Sequence, residues 1–442
     1  MRFFIKKLGC PKNDVDGDYI AGKLLADGHQ LVDRENEAEA VIVNTCSFIL
    51  PAKEESIAEI LRYENLKKEK KIGRLYVTGC LSQRYGEHLL NDIRGIDGVF
   101  GLGQIEALAR AVALHRPERT SAIQPALNLD YLSGERRYVD HSYPFEYLKI
   151  SEGCDRFCSY CAIPLIRGKY RSRPPGEIVK EARLLAEEGK KEIILVSQEG
   201  TGYGRDLDDG VDIINLLTAL QDIDKIEWIR LMYLHPEAVN DRLIDFMADS
   251  PRVLSYFDLP LQHINDRILK AMNRRIDRGR IEEILNRIRS ANRNSTIRTS
   301  FIVGLPGETD EEFAELCDFV DEFEFDRLGV FKYSLEENTP AANFGNQVPE
   351  TTKEERMDAL MALQQEIAYQ KNIDLIGSVQ KVIIDKTDDG GVAIGRTPGD
   401  CPEIDQNVIL KNQEVRVGDI LEVKIIMADG YDLIAEIPEE RP

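Results

Sequence analysis

Three cysteines stand within eight residues in Gly153-Cys154-Asp155-Arg156-Phe157-Cys158-Ser159-Tyr160-Cys161. Thiolates this close in the chain can wrap one metal centre. A structural zinc ion wants four protein ligands, and no fourth Cys or His lies near. Three cysteines on a cubane iron–sulfur cluster leave one iron without a protein ligand, free to bind a chelating small molecule. The spacing C-x3-C-x2-C also differs from the C-x2-C-x2-C of bacterial ferredoxins, which transfer electrons. The plain alternative is three unrelated packed thiols.

A second set is spread along the first hundred residues, in Lys7-Leu8-Gly9-Cys10, Val43-Asn44-Thr45-Cys46 and Val77-Thr78-Gly79-Cys80. Each cysteine ends a run that reads as a strand. In an open parallel sheet the carboxyl ends of the strands face one crevice, where ligands bind. Three cysteines from three strands would meet there. Gly9 and Gly79 permit a tight turn beside a bulky ligand. Three is an odd count for disulfides and one short for zinc, so the pattern leaves two readings, a second cluster or buried structural thiols. Cys317, in a helical pattern, reads as a packed core thiol, and Cys401, in a turn, as incidental. His235 and His263, at strand ends, either line a site or cap structure.

The elements that must position these residues follow from the apolar pattern. Segments 2–7, 40–44 and 74–77 read as strands, and 16–27 and 57–66 as helices, which predicts an open parallel α/β sheet over residues 1–115. Residues 116–139 carry Pro, Gly and charge with poor periodicity, as a linker does. Between 140 and 371 the alternation restarts and runs six times, with strands at 147–150, 193–196, 228–232, 256–258, 297–302 and 328–333. Helices are predicted at 177–188, 241–247, 280–289 and 310–322. Six βα units are fewer than the eight of a closed barrel, so a partial (βα)6 TIM-like barrel is expected, with the first cysteine trio at its active C-terminal face. A helix at 352–373 leads to residues 372–442, whose short strands at 378–385, 392–395, 408–410, 420–426 and 432–437 predict a small all-β barrel.

The chain has 442 residues, a 43% apolar fraction and a net charge of −21. That charge disfavours a generic grip on nucleic-acid backbone and suits a basic partner. No apolar run is long enough to span a membrane, and Met1-Arg2-Phe3-Phe4-Ile5-Lys6-Lys7 is too short for an export signal, so a cytoplasmic protein is expected. Eight cysteines without an export signal suggest metal or redox chemistry.

The trio Cys154, Cys158 and Cys161, on that strand, resembles the radical S-adenosylmethionine superfamily. The resemblance implies a 4Fe–4S cluster whose open iron takes the amino and carboxylate groups of S-adenosylmethionine and cleaves it to a 5′-deoxyadenosyl radical. Tyr160 then matches the aromatic that packs near the adenine. Ser197-Gln198-Glu199 matches the methionine-binding segment, with Gln198-Glu199 departing from a plain Gly-Gly-Glu. Phe301-Ile302-Val303-Gly304-Leu305-Pro306-Gly307-Glu308 matches the fifth-strand glycine motif bordering the adenine, through Val303 and Gly304. Gln262, Arg298 and Thr299 rank behind these as cofactor contacts at the same mouth.

Gly9-Cys10-Pro11-Lys12-Asn13-Asp14-Val15-Asp16, Asn44-Thr45-Cys46 and Thr78-Gly79-Cys80 resemble the N-terminal domain of the methylthiotransferases. In that family Cys10, Cys46 and Cys80 would hold a second 4Fe–4S cluster, and a TRAM (OB-like) barrel would follow the radical domain. Members insert a methylthio group into an unreactive C–H bond, of a transfer-RNA adenosine or of an aspartate in small-subunit ribosomal protein number twelve. Such an enzyme also needs an electron donor such as a flavodoxin, and a sulfur source. Three features favour the protein substrate. Residues 372–442 hold 7 Lys+Arg against 15 Asp+Glu, the wrong sign for phosphates and the right one for a basic protein. Gly395-Arg396-Thr397-Pro398-Gly399-Asp400-Cys401-Pro402-Glu403-Ile404-Asp405 resembles the barrel motif of the ribosomal-protein branch, with Cys401 where that branch often has alanine. The basic island holding Arg167, Lys169, Arg171 and Arg173 could bind a substrate carboxylate, or pair with neighbouring acids.

Overall fold

The computed structural model describes residues 1–114, 118–126, 137–208, 210–388, 390–411 and 414–438. Half of the expected linker, residues 116–117 and 127–136, lies outside these. The first sheet has six parallel strands: β1 (Arg2–Lys7), β2 (Gln30–Leu31), β3 (Ala40–Thr45), β4 (Arg74–Gly79), β5 (Gly98–Phe100) and β6 (Thr120–Ala122), in the order β2-β1-β3-β4-β5-β6. Alternation along β3 feeds two cores. Val41 and Val43 pack with Ile60 and Leu81 on one face, and Ala40 and Ile42 with Ile20 and Leu108 on the other. The covering helices are α1 (Pro11–Ala26), α2 (Leu50–Lys68), α3 (Cys80–Asp92) and α4 (Ile105–Ala113). Because β1 lies between β2 and β3, the strand order switches at the carboxyl ends of β1 and β3, just ahead of Cys10 and Cys46. The strands β2, β5 and β6 are only two or three residues long, too short for a periodic signal, and β6 carries the sheet past residue 115.

The second unit starts with β7 (Phe145–Lys149), followed by a two-stranded ribbon of β8 (Ser151–Glu152) and β9 (Arg171–Ser172). Five further parallel strands follow: β10 (Glu192–Val196), β11 (Trp228–Leu231), β12 (Tyr256–Gln262), β13 (Thr296–Val303) and β14 (Arg327–Lys332). They form two three-stranded sheets, β7-β10-β11 and β12-β13-β14. Backbone bonds bring the sheets together, Leu234 N donating to Asp258 O at 2.9 Å. Inside the curved wall lie Tyr147, Ile194, Val196, Trp228, Met232 and Tyr256, while helices cover the outside over one large core. A long helix, Glu350–Asp374, leads to β15 (Val379–Thr387), β16 (Val392–Arg396), β17 (Val408–Lys411), β18 (Ile420–Asp429) and β19 (Asp432–Glu436). These close a barrel in the order β15-β16-β17-β19-β18. No described helix is long and apolar enough to cross a membrane.

Two seams hold the units together. The first unit meets both ends of the open barrel. Asp18 pairs with Arg137 at 2.8 Å beside β7, while Lys53 and Arg84 reach Glu336, beyond β14, at 3.0 and 2.7 Å. The second seam is the loop 396–405, which plugs the end of the partial barrel where the strands begin. Arg396 bridges Glu192 and Asp385, Arg230 pairs with Glu192 at 2.8 Å, and Arg327 and Asp400 pair alongside. Tyr256 Oη donates to Asp405 at 2.6 Å, and Arg298 lies 3.4 Å from the same carboxylate. Cys401 corrects its expected place: it is fully buried among Phe145, Trp228 and Ile383, where a small apolar side chain is needed.

Glu192 has two guanidinium partners in a fully buried site, and together they hold its carboxyl below the usual range despite the burial that opposes this. Replacing Arg396 by Ala strands part of that charge and exposes Asp385. The expected cost is about 3–5 kcal/mol, read as a lower denaturant midpoint with the far-ultraviolet spectrum unchanged. The double variant Glu192→Gln/Arg396→Met should lose less than the sum of the single changes.

Candidate functional site

All eight cysteines are free, and six of them gather where parallel strands end. Gly153 has φ +75°, and a Cβ there would lie 2.0 Å from Lys169 O, so only glycine lets the chain turn into the cysteine loop. Cys154 N donates to Gly168 O at 3.1 Å and Cys161 N to Cys158 O at 3.0 Å, while Phe157 takes φ +50°. The loop thus folds back on itself and presents its three sulfurs to one side of the mouth. Burial pushes the Cys154 thiol up to about 11 and Cys161 higher still, each helped by its neighbouring cysteine. Such thiols become thiolates at neutral pH when a metal's positive charge replaces their proton.

The other trio follows β1, β3 and β4. Cys10 caps α1 and Cys80 opens α3, so both sit at helix N-termini, which favour negative charge. Gly9 and Gly79 both have φ +94°. A Cβ on Gly9 would lie 2.6 Å from Cys46 Cβ and 2.8 Å from its Sγ, so the β1 turn closes on Cys46 only because it is bare. Asn13 ties the turns together, its Nδ2 donating to Leu8 O and Thr45 O, both at 2.9 Å. Burial pushes Cys80 up to about 12 and raises Cys46 as well.

The trios are neighbours. Cys80 packs in one small apolar cluster with Leu102, Ala162 and Ile166, and Ala162 directly follows Cys161. Arg167 ends the short helix α5 (Ile163–Arg167). Its guanidinium donates to Asn13 Oδ1 at 2.7 Å, Asp16 at 3.0 Å, Glu152 at 2.8 Å and Cys80 Sγ at 3.5 Å. Among the described residues no three Cys, His, Asp or Glu side chains converge on a single metal ion. A cubane spreads its ligands over separate irons and asks for wider spacing. Several buried polar atoms without a partner lie at these two places: Ser47, Ser82 and Asn44 beside Cys46 and Cys80, and Ser159, Ser197, Gln198, His235 and Tyr333 around the barrel mouth. Unpaired buried polar atoms at a mouth are what a polar ligand satisfies. The donors present therefore fit iron–sulfur clusters and a small polar cofactor.

The remaining expected residues divide. Tyr160 packs on Ile268, Met272 and Leu305 beside Cys158. Glu199 is buried at the mouth, bound by Arg205 at 2.7 Å, Arg156 at 3.4 Å and Thr201 at 2.5 Å. Val303 ends β13, and Gly304, at φ +75°, donates its N–H to Glu308. Gln262 ends β12 in a left-handed conformation, φ +72°. Arg298 is not at the mouth. It bonds Asp258 at 2.9 Å and faces the plug loop, because it lies early in β13. Thr299 is buried and spends its hydroxyl on Leu259 O at 2.8 Å, beside the irregularity in β12.

The basic island is corrected as well. Arg167 and Arg173 are buried, Arg173 pairing with Glu181 at 2.7 Å, so these two are structural cations; Lys169 is exposed, and Arg171 is bound to the carbonyls of Lys169 and Arg167. His263 is a cap, its Nδ1 accepting from Asn265 N at 3.0 Å and its Nε2 lying 3.1 Å from Glu308. His235 lies at the mouth with neither ring nitrogen engaged, and burial plus Arg274, Arg156 and Arg205 push it down to about 2, so it is neutral. Sequence reasoning missed Lys12, Arg274 and Tyr333. The only signal for Lys12 was its place two residues after Cys10.

Three family models match the chain: the Radical SAM superfamily over residues 148–320, the uncharacterized protein family UPF0004 over 2–101, and the TRAM domain over 376–437. The ribosomal protein uS12 methylthiotransferase RimO of Bdellovibrio bacteriovorus is 43% identical, over 98% of this chain and 96% of its own. The protein of that name from Thermosipho africanus is 43% identical over the whole of both chains. Among solved structures, the radical S-adenosylmethionine methyltransferase TsrM of Kitasatospora setae superposes with a TM-score of 0.55, covering 88% of this chain and 81% of that one. At 15% identity that likeness speaks for the fold. Full-length identity to the curated relatives, over three matched segments that carry both cysteine trios, decides the family: the chain belongs to the RimO methylthiotransferases and is a radical S-adenosylmethionine enzyme.

Proposed function

We propose that this enzyme replaces a β-hydrogen of one aspartate in ribosomal protein uS12 by a methylthio group. The observation that carries the reading is the packing of Cys80, from one trio, in a single cluster with Ala162, the residue that follows Cys161 of the other. The names of the full-length relatives supply the substrate. Proton removal beside an ionised carboxylate would stack negative charge on adjacent atoms, whereas hydrogen-atom removal adds none. When bound at Cys154, Cys158 and Cys161, a 4Fe–4S cluster supplies the electron that cleaves S-adenosylmethionine. The second trio, Cys10, Cys46 and Cys80, would hold a second 4Fe–4S cluster and with it the sulfur to be transferred.

The chain's own residues do the rest. Tyr160, Glu199, Gln262, Val303 and Gly304 line the mouth as the contacts for S-adenosylmethionine. The buried wall of Ile268, Met272 and Leu305 keeps water from a reactive carbon centre. Lys169 and Arg171 flank the rim. The acidic C-terminal barrel offers a complementary surface to a basic ribosomal protein. A cytoplasmic site, an electron donor of the flavodoxin kind and a separate sulfur source follow from this reading.

Mass spectrometry of uS12 from cells lacking this protein should show the methylthio addition gone, with the wild-type chain restoring it; an unchanged mass refutes the reading. Purified transfer RNA should bind no better than a salt-sensitive background, and tight salt-resistant binding would favour the adenosine substrate instead. Cys154→Ala should abolish 5′-deoxyadenosine formation and remove about half of the reconstituted iron. Cys46→Ala should remove a similar share yet still cleave S-adenosylmethionine. If Cys46→Ala leaves the iron content at the wild-type level, the second cluster is wrong.

A further inference from the structure

Buried cations in this protein are paired with carboxylates almost without exception. Lys149 is held by Asp16 and Glu152, Arg167 by the same two, Lys190 by Glu146, and Arg230 and Arg396 by Glu192. Among the described residues two buried cations have no carboxylate within reach, Lys12 and Arg274. Arg274 donates to Pro260 O at 2.7 Å and lies against Tyr160 and Cys158, on the side of the mouth away from the seam. Lys12 is different.

Lys12 follows Cys10 by two residues, and its side chain leaves the first unit altogether. Nζ donates to Ser197 O at 3.2 Å and stands 3.4 Å from the centre of the Tyr233 ring. Ser197 directly follows β10, and Tyr233 lies two residues beyond β11. The ammonium is therefore set in the barrel mouth, between Cys10 and the segment that holds Glu199. Tyr233 takes φ +61°, a conformation a bulky residue adopts only under constraint, and its N–H is fixed by Asp258 Oδ2 at 2.9 Å. That constraint keeps the ring under Lys12. A buried ammonium resting on a carbonyl and an aromatic face still lacks a counter-charge, and such a charge is costly until an anion arrives.

We propose that Lys12 Nζ binds the carboxylate of the target side chain and so selects an aspartate over a neutral residue. The assignment rests on the function proposed above and names the group that reads it. The carboxylate is one bond from the β-carbon, so holding it fixes the C–H bond at the seam of the two trios. Arg167 and Lys149 cannot serve, since Asp16 and Glu152 already saturate them.

The test uses the full-length, anaerobically reconstituted enzyme and two forms of uS12 from cells lacking it, one native and one with the target Asp changed to Asn. Wild-type enzyme should bind the native form about 10- to 100-fold more tightly, the span of a hydrogen bond to a charged group. Lys12→Met should bind both forms alike, at the level of the Asn form, with iron content unchanged. Lys12→Arg should keep the preference, because the cation is kept. A preference that survives in Lys12→Met overturns the proposal, as does a loss of iron in step with the loss of binding, which would make Lys12 a counter-charge for Cys10 only. If wild-type enzyme leaves native uS12 unmodified, the substrate reading itself fails, a result distinct from either.

Discussion

The functional arrangement depends on one buried carboxylate. Asp16, on α1 of the first unit, is shared by Lys149 of β7 and Arg167 of the cysteine-loop helix. With Glu152 as the second acid, the four groups close a ring: losing either cation takes one of two partners from each acid, and losing Asp16 leaves two bases to share Glu152 in a dry seam. Because Arg167 also contacts Cys80, the same network sets the register of one cysteine trio against the other. The pairing costs desolvation on both sides. What it gains is specificity of placement, the best-attested use of buried ionic groups.

Much of this was legible in the sequence, and the reason is locality. Cys154, Cys158 and Cys161 announce themselves by spacing. Runs such as Ala40–Thr45 are buried on both faces and so read as unbroken β-branched segments. The convergence of Cys10, Cys46 and Cys80 followed from a rule about parallel sheets rather than from their separation along the chain. What failed was non-local. Arg298 and Thr299 were assigned to the mouth, yet a strand has two ends, and their places near the start and middle of β13 send them elsewhere. Arg167 and Arg173 read either as substrate cations or as partners of neighbouring acids, and the sequence could not choose because Asp16 lies far off along the chain and Glu152 and Glu181 are unremarkable in it.

The C-terminal barrel was expected to act through its charge, and the structure adds a mechanical part. Its loop 396–405 enters the partial barrel from the end opposite the cysteines, with Cys401 as the small residue at the centre of the contact. Glu192 and Arg327 at the starts of their strands, with Arg230 and Arg298 two residues into theirs, receive it. The family motif in that loop is thus first a fitting between two units, and its burial among residues distant in sequence explains why Cys401 looks incidental in a polar turn.

The first unit touches the open barrel at both of its margins, through Asp18 and Arg137 on one side and through Lys53, Arg84 and Glu336 on the other. A part clamped at one margin can swing like a door; clamped at two, it behaves as a keystone. The missing seventh and eighth strands are in effect replaced by another folded body. The placement of one cysteine trio relative to the other is then settled when the polypeptide folds, rather than by jaws that shut on a partner.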